Sequence, residues 1–224
     1  LAIFYFLIIL YNVLMFKTYE LKTTKTWNQY DQKLLSFIPD YRINKLEKFK
    51  NIISKKTSLY SVLLTEMAIS INYKIPYNKQ ELVFLDNKKP YIKNIQNCYF
   101  NYSHSSDTIL LGLADNEIGV DVEKIAIPPL EIMNLCFTSQ EINYVYSQHD
   151  EKAKHTAFYQ IWTQKEAYLK FLSTDIKEPN NVNTLDKSIN QYFHRWISDE
   201  YYFCVYYPNN YPIQQITLDE DYIK

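Results

Sequence analysis

Two carboxylates set into an apolar strand are the first residues of this chain whose types and spacing could do chemistry. In Glu117-Ile118-Gly119-Val120-Asp121-Val122-Glu123-Lys124-Ile125, the apolar Ile118, Val120 and Val122 alternate with Gly119, Asp121 and Glu123. A period of two rich in β-branched residues predicts a strand and puts Asp121 and Glu123 on one face. There they stand about 7 Å apart, and at an effective dielectric of about 20 they repel by about 2 kcal/mol unless something positive lies between them. A divalent cation answers that need, and an oxygen-only donor set suits magnesium, which keeps water and substrate phosphates in its other positions. A solvent-facing acidic edge explains the strand alone equally well.

A second group lies in the segment Thr156–Phe171, where Phe158, Ile161, Trp162, Tyr168, Leu169 and Leu172 fall on one stripe at 100° per residue and predict a helix. Lys165 sits within that stripe, so its ammonium must reach outward or meet an anion. Glu166 and Lys170 are four apart on its flank. They read either as a pair directed into one cleft or as a surface ion pair worth about 0.3–0.5 kcal/mol. A third stretch, Cys98 to Asp107, is an aromatic strand ending in Ser103-His104-Ser105-Ser106. Serine and histidine at a strand end can donate to an anion, and a lone histidine reads as readily as a solvent-facing turn residue. No nucleophile, base and carboxylate order resembling a triad can be assigned around it.

These groups need a scaffold, and the chain supplies one. Its 224 residues, 47% hydrophobic, suffice for one large domain or two small ones. A net charge of −1 leaves no basic footprint for general nucleic-acid or acidic-membrane binding. Cys98, Cys136 and Cys204 are odd in number and widely spaced, which predicts reduced thiols and a cytoplasmic protein. Residues 1–14 form an apolar run shorter than the ~20 residues of a spanning helix, an extension of uncertain status with no membrane anchor expected. Met15 to Leu21 reads as a first strand. Asp31 to Phe49 is helix-like, broken at Pro39, and Arg42, Lys45 and Lys48 read as a solvated basic face. Thr57 to Ile71 is a core helix, Leu82 to Phe84 strand-like, and Asp86 to Pro90 a turn. Thr138-Ser139-Gln140-Glu141 is a capping box with Phe137 and Ile142 placed as a hydrophobic staple. Ser188–Ile197, Tyr201–Tyr207 and Ile213–Leu218 alternate as strands.

Taken in order, Lys89-Pro90 before Phe100-Asn101-Tyr102-Ser103-His104-Ser105, then Ile118 to Glu123, then Trp162 with Lys165-Glu166-Ala167 and Lys170, closely resemble the 4′-phosphopantetheinyl transferases. The resemblance is to the larger surfactin-type (Sfp-like) class. It implies an α/β (α+β) fold of two similar halves related by a pseudo-twofold, residues 15–115 and 116–224, the second carrying the metal site. It also implies transfer of the 4′-phosphopantetheine arm of coenzyme A to a serine of an acyl or peptidyl carrier protein, with release of adenosine 3′,5′-bisphosphate. Asp121, Glu123 and Glu166 would hold magnesium, Glu166 would act as general base, and Lys170 would stabilise or protonate the departing phosphate. Lys89, Ser103 and His104 would meet the nucleotide end, with Arg42, Lys45 and Ser61 as further coenzyme contacts and Lys165 supporting the same anionic site. A monomer is expected, serving fatty-acid, polyketide or peptide synthesis. The chain departs from the family pattern at Lys88, Tyr60 and Phe171-Leu172-Ser173-Thr174-Asp175, where glycine, arginine and a glycine-containing turn are common. The competing readings are a non-catalytic carrier- or coenzyme-binding module and a magnesium-dependent phosphohydrolase or nuclease. The nuclease should carry more basic surface than this chain has.

Overall fold

The computed structural model describes residues 16–84, 89–173, 179–209 and 211–223. The apolar run 1–14, most of the turn before Pro90, and Thr174-Asp175 lie outside them. The chain is mixed α/β, as expected, and divides into two compact units: the described residues of Leu1–Ile118 with those of Asn210–Lys224, and Gly119–Asn209.

The first unit is a four-stranded sheet covered by a long helix. Its strands are β1 (Phe16–Lys22), β4 (Tyr99–Ser105), β5 (Thr108–Ala114) and β9 (Ile213–Asp219), in the order β4-β5-β1-β9; β2 (Leu82–Val83) and β3 (Tyr91–Ile92) form a separate ribbon. β5 is antiparallel to both β4 and β1, whereas β9 runs parallel to β1. Ahead of the cover helix come α1 (Gln29–Leu34) and α2 (Asp40–Glu47), divided by a 3₁₀ turn and by Pro39, whose extended backbone starts α2. The cover helix α3 (Ile52–Tyr73) begins earlier than its apolar stripe predicts. The Asn51 side chain accepts the amides of Ile53 (2.8 Å) and Ser54 (3.2 Å), which the helix itself leaves unpaired. Leu59, Val62, Leu63 and Ile69 of α3 share one core with Phe100, Ile109, Leu111 and Leu113 of the sheet.

The return of the C-terminus to this unit is fixed by charge. Lys56 on α3 has no solvent exposure, and its ammonium lies 3.2 Å from Asp31 and 3.0 Å from Glu220 in the turn after β9. It also donates to Thr24 Oγ1 (2.6 Å) and the Thr26 carbonyl (3.0 Å), while the Tyr60 hydroxyl donates to Asp31 (2.8 Å). Tyr60 therefore stands in a buried polar knot, where burial first and the Asp31 carboxylate second push its hydroxyl pKa well up.

In the second unit a single long helix lies on a three-stranded antiparallel sheet. β6 (Gly119–Lys124), β8 (Tyr201–Tyr206) and β7 (Phe193–Ser198) stand in the order β6-β8-β7, with Asp121 opposite Cys204 and Glu123 opposite Tyr202. Between β6 and the long helix come α4 (Met133–Cys136) and α5 (Ser139–Tyr146). The predicted capping box is formed at α5, Thr138 accepting the Glu141 amide (3.2 Å) and Glu141 accepting the Thr138 amide (2.7 Å). Phe137 and Ile142 join the same apolar cluster, as a staple requires. The long helix α6 (Glu151–Leu172) starts five residues before its predicted boundary because Asp150 accepts the Ala153 amide at 2.7 Å. Ser188 opens no strand: Asp186 accepts its amide at 2.8 Å and caps a short helix, α7 (Lys187–Asn190).

Candidate functional site

Gly119 determines how closely the acidic strand and the long helix approach. A Cβ at this position would lie 1.9 Å from the Ala167 carbonyl oxygen and 2.5 Å from the Phe171 amide nitrogen, so only glycine lets the α6 backbone lie on β6. Asp121 is two residues further along the strand and shares the Gly119 face. On the helix, the turns around the contact carry Glu166 and Lys170.

Asp121 is 2% exposed, which excludes the solvent-facing edge that the strand pattern alone allowed. Its Oδ1 accepts from the Lys170 ammonium at 2.6 Å. Lys170 thus crosses from helix to strand; the charge contact of Glu166 with Lys170 is secondary and no surface i,i+4 bridge forms. Glu166 titrates above the usual carboxylate range, chiefly because burial penalises its charge, then because Asp121 repels it, with Lys170 opposing both. Glu123 is half-buried further along the strand, where its charge adds to the burial that raises the Tyr159 hydroxyl. Asp121, Glu166 and Lys170 are brought together, and Glu123 stands two residues further along the strand. Among the described residues no group of three or more His, Cys, Asp or Glu side chains converges tightly enough to hold a metal. In donor chemistry the oxygen-only set fits a hard divalent cation, and Asp121 raising the pKa of Glu166 reflects negative charge that one ammonium does not offset.

Lys165 does not serve as the anion contact expected of it. It is 4% exposed, and its ammonium is spent inside the unit on Glu141 (2.8 Å) and on the carbonyls of Pro179 (3.1 Å) and Val182 (2.5 Å). A lysine on an apolar helix face needs an anion, and here the protein supplies it.

The remaining candidates lie in the first unit. Lys89 donates to Glu117 (2.5 Å) and to the Ile118 carbonyl (2.7 Å); burial lowers its pKa and Glu117 works against that. Ser103 is buried and His104 exposed, because consecutive residues of β4 face opposite sides of the sheet. Arg42 is no part of a solvated face: it is buried with its guanidinium 4.6 Å from the Phe84 ring centroid, while Lys45 and Lys48 are exposed. Ser61 is drawn fully into the core of the unit and donates to the Thr57 carbonyl at 2.7 Å, which removes it from the coenzyme contacts. Glu117, Thr184, Asp31 and Glu220 went unnoticed in the sequence. Their partners are 28, 43, 25 and 164 residues away, and no local spacing marks such pairs. Glu141 reads in the sequence chiefly as a helix cap.

Comparison with known proteins shows what the chain is similar to. Residues 117–218 match the family described as the 4′-phosphopantetheinyl transferase superfamily, a stretch that contains Asp121, Glu123, Glu166 and Lys170. The chain is 27% identical over 145 residues to 4′-phosphopantetheinyl transferase psf-1 of Bacillus pumilus, covering 65% of this chain and 62% of that protein. To the transferase Sfp of Bacillus subtilis (strain 168) it is 25% identical over 140 residues, 62% of each chain. To the transferase gsp of Aneurinibacillus migulanus it is 24% identical over 177 residues, 77% of this chain and 73% of that one. The match thus spans about three fifths of the first two relatives. The chain resembles the larger surfactin-type (Sfp-like) class of these transferases.

Proposed function

We propose that this protein is a 4′-phosphopantetheinyl transferase that converts apo acyl or peptidyl carrier proteins to their holo form. The observation that carries the reading is the gathering of Asp121, Glu166 and Lys170 on one strand–helix contact within the segment that matches the superfamily. In this reading the carrier serine hydroxyl gives its proton to the Glu166 carboxylate, and the serine oxygen forms a bond to the pantetheine-side phosphorus of coenzyme A. The bridging P–O bond breaks, and adenosine 3′,5′-bisphosphate leaves. A base of raised pKa suits proton abstraction near neutrality better than an ordinary carboxylate. Lys170 gives the departing phosphate a positive neighbour. Asp121, Glu123 and Glu166 are the residues that would hold magnesium, which when bound supplies charge neutralisation at the pyrophosphate. Lys89, Ser103 and His104 are assigned to the nucleotide end of the coenzyme, with Arg42 and Lys45 as further coenzyme contacts.

We take the working form to be a monomer. We infer a cytoplasmic location from the odd number and wide spacing of Cys98, Cys136 and Cys204. No described helix is long and apolar enough to cross a membrane. The test is incubation with magnesium, coenzyme A and several apo carrier proteins, reading intact carrier mass beside a Glu166→Ala control. Addition of a phosphopantetheine mass that requires magnesium and is lost in the control is the expected result. Tight coenzyme A binding with no carrier modified would replace this reading with a non-catalytic module. Neither binding nor modification would favour a phosphohydrolase.

A further inference from the structure

The most deeply buried ion pair of the described second unit lies beside the site and is used by no step of the proposed reaction. Glu141 is fully buried, and each of its oxygens serves two partners. Oε2 accepts the Thr138 amide (2.7 Å) and the Lys165 ammonium (2.8 Å), while Oε1 accepts the Thr184 amide (2.8 Å) and hydroxyl (2.7 Å). Lys165 adds its bonds to the Pro179 and Val182 carbonyls, and Asn190 Nδ2 closes the loop on the Thr184 carbonyl at 2.7 Å. Two side chains therefore tie three pieces of chain together: the start of α5, the middle of α6 and the segment 179–190 that leads back to the sheet.

The consequence for the site follows from helix geometry. Lys165 and Glu166 are consecutive, so their side chains leave α6 about 100° apart. Anchoring Lys165 on Glu141 sets the rotation of α6 about its own axis and with it the aim of Glu166. At the outer radius of a helix, about 6 Å, a rotation of 10° moves a side-chain head by about 1 Å. A displacement of that size costs about 100-fold in rate where reacting groups must be held in line. Apolar packing tolerates such a rotation, whereas a buried ammonium cannot leave its carboxylate without heavy cost.

We infer that Glu141 and Lys165 form a positioning clamp that orients Glu166 without touching coenzyme A. The inference rests on the transferase reading for its catalytic consequence, while the anchoring of residues 179–190 can be measured without any carrier.

The test compares the wild type with Lys165→Met and with the double variant Glu141→Leu/Lys165→Met, which leaves no unpaired buried charge and so protects folding. Three quantities are read: coenzyme A affinity by calorimetry, kcat with a carrier, and amide hydrogen exchange at Thr184. The clamp predicts coenzyme A affinity within twofold of wild type in both variants. It predicts kcat lower by about 10–100-fold, and Thr184 exchange in the double variant faster by about tenfold or more, since its acceptor is gone. Coenzyme A binding weakened tenfold or more in a folded Lys165→Met protein would overturn the inference in favour of direct contact. Wild-type kcat in the folded double variant would overturn it as well. A wild type that modifies no carrier would refute the transferase reading instead; the clamp then stands or falls on Thr184 exchange, unchanged exchange refuting it.

Discussion

Replacing Gly119 by alanine tests how the site is assembled, because the adjoining atoms belong to backbone. The new Cβ would stand 1.9 Å from the Ala167 carbonyl oxygen, where ordinary contact begins at 3.4 Å, so α6 must retreat by 1.5 Å at this point or the strand must bend as much. No rotamer change relieves the clash, since both close atoms, the Ala167 oxygen and the Phe171 nitrogen, are main chain. Overpacking of this kind costs about 1–3 kcal/mol, which for a chain of this size lowers Tm by about 2–12 °C. The same retreat would stretch the 2.6 Å contact between Lys170 and Asp121 towards 4 Å and carry Glu166 with it. A misplacement above 1 Å predicts a loss of about 100-fold in turnover. Carrier modification by mass spectrometry and thermal unfolding by calorimetry read the two effects. A Gly119→Ala protein with wild-type Tm and turnover would refute the close helix–strand contact, and with it the assembly of Asp121, Glu166 and Lys170 around it.

Four further outcomes are expected. Turnover should fall on acidification at a pH above the usual carboxylate range, because burial and Asp121 raise the Glu166 pKa and the base must be ionised. A kcat/KM profile flat down to pH 5 would exclude Glu166 as the base. The same raised pKa makes Glu166 a stability liability that grows with pH: its contribution is most favourable below the unfolded pKa and is lost as pH rises through the folded one. Glu166→Gln should accordingly raise Tm more at pH 8 than at pH 5. Lys56→Met strips a buried cation from Asp31 and Glu220, and should destabilise the first unit by about 3–5 kcal/mol in denaturant titration; a loss under about 1 kcal/mol would contradict the buried cluster. Lys170→Met removes the cation bonded to Asp121, and should tighten binding of manganese, used as a probe in the absence of coenzyme A, while weakening coenzyme A binding. Unchanged manganese affinity would show that Lys170 and a divalent cation do not compete for Asp121.

Local pattern in the sequence was enough for what depends on neighbours along the chain. The period of two around Asp121, the apolar stripe of α6 and the capping box at Thr138 each follow from near-neighbour geometry, and each is present in the structure. Asp121 and Lys165 were legible as candidates for the same reason, since charged residues inside otherwise apolar periodic elements conflict with burial unless something compensates them, and Glu166 and Lys170 by their spacing of four on the flank of that stripe. What compensates them was decided by tertiary structure alone. Lys165 and Lys170 have the same side-chain chemistry and lie five residues apart on one helix, yet one is drawn to Glu141 and the other to Asp121. Helix phase sends them to different neighbours, and only the packed unit fixes what those neighbours are. Arg42 reads as one of three basic residues at helical spacing but is buried against Phe84, and Ser61, a coenzyme contact by the family resemblance, is enclosed. Exposure depends on which face of a helix the sheet covers, and for a short amphipathic segment many registers satisfy the same pattern. The cluster of Lys56, Asp31 and Glu220 joins residues separated by as much as 189 positions, and no periodicity reaches that far.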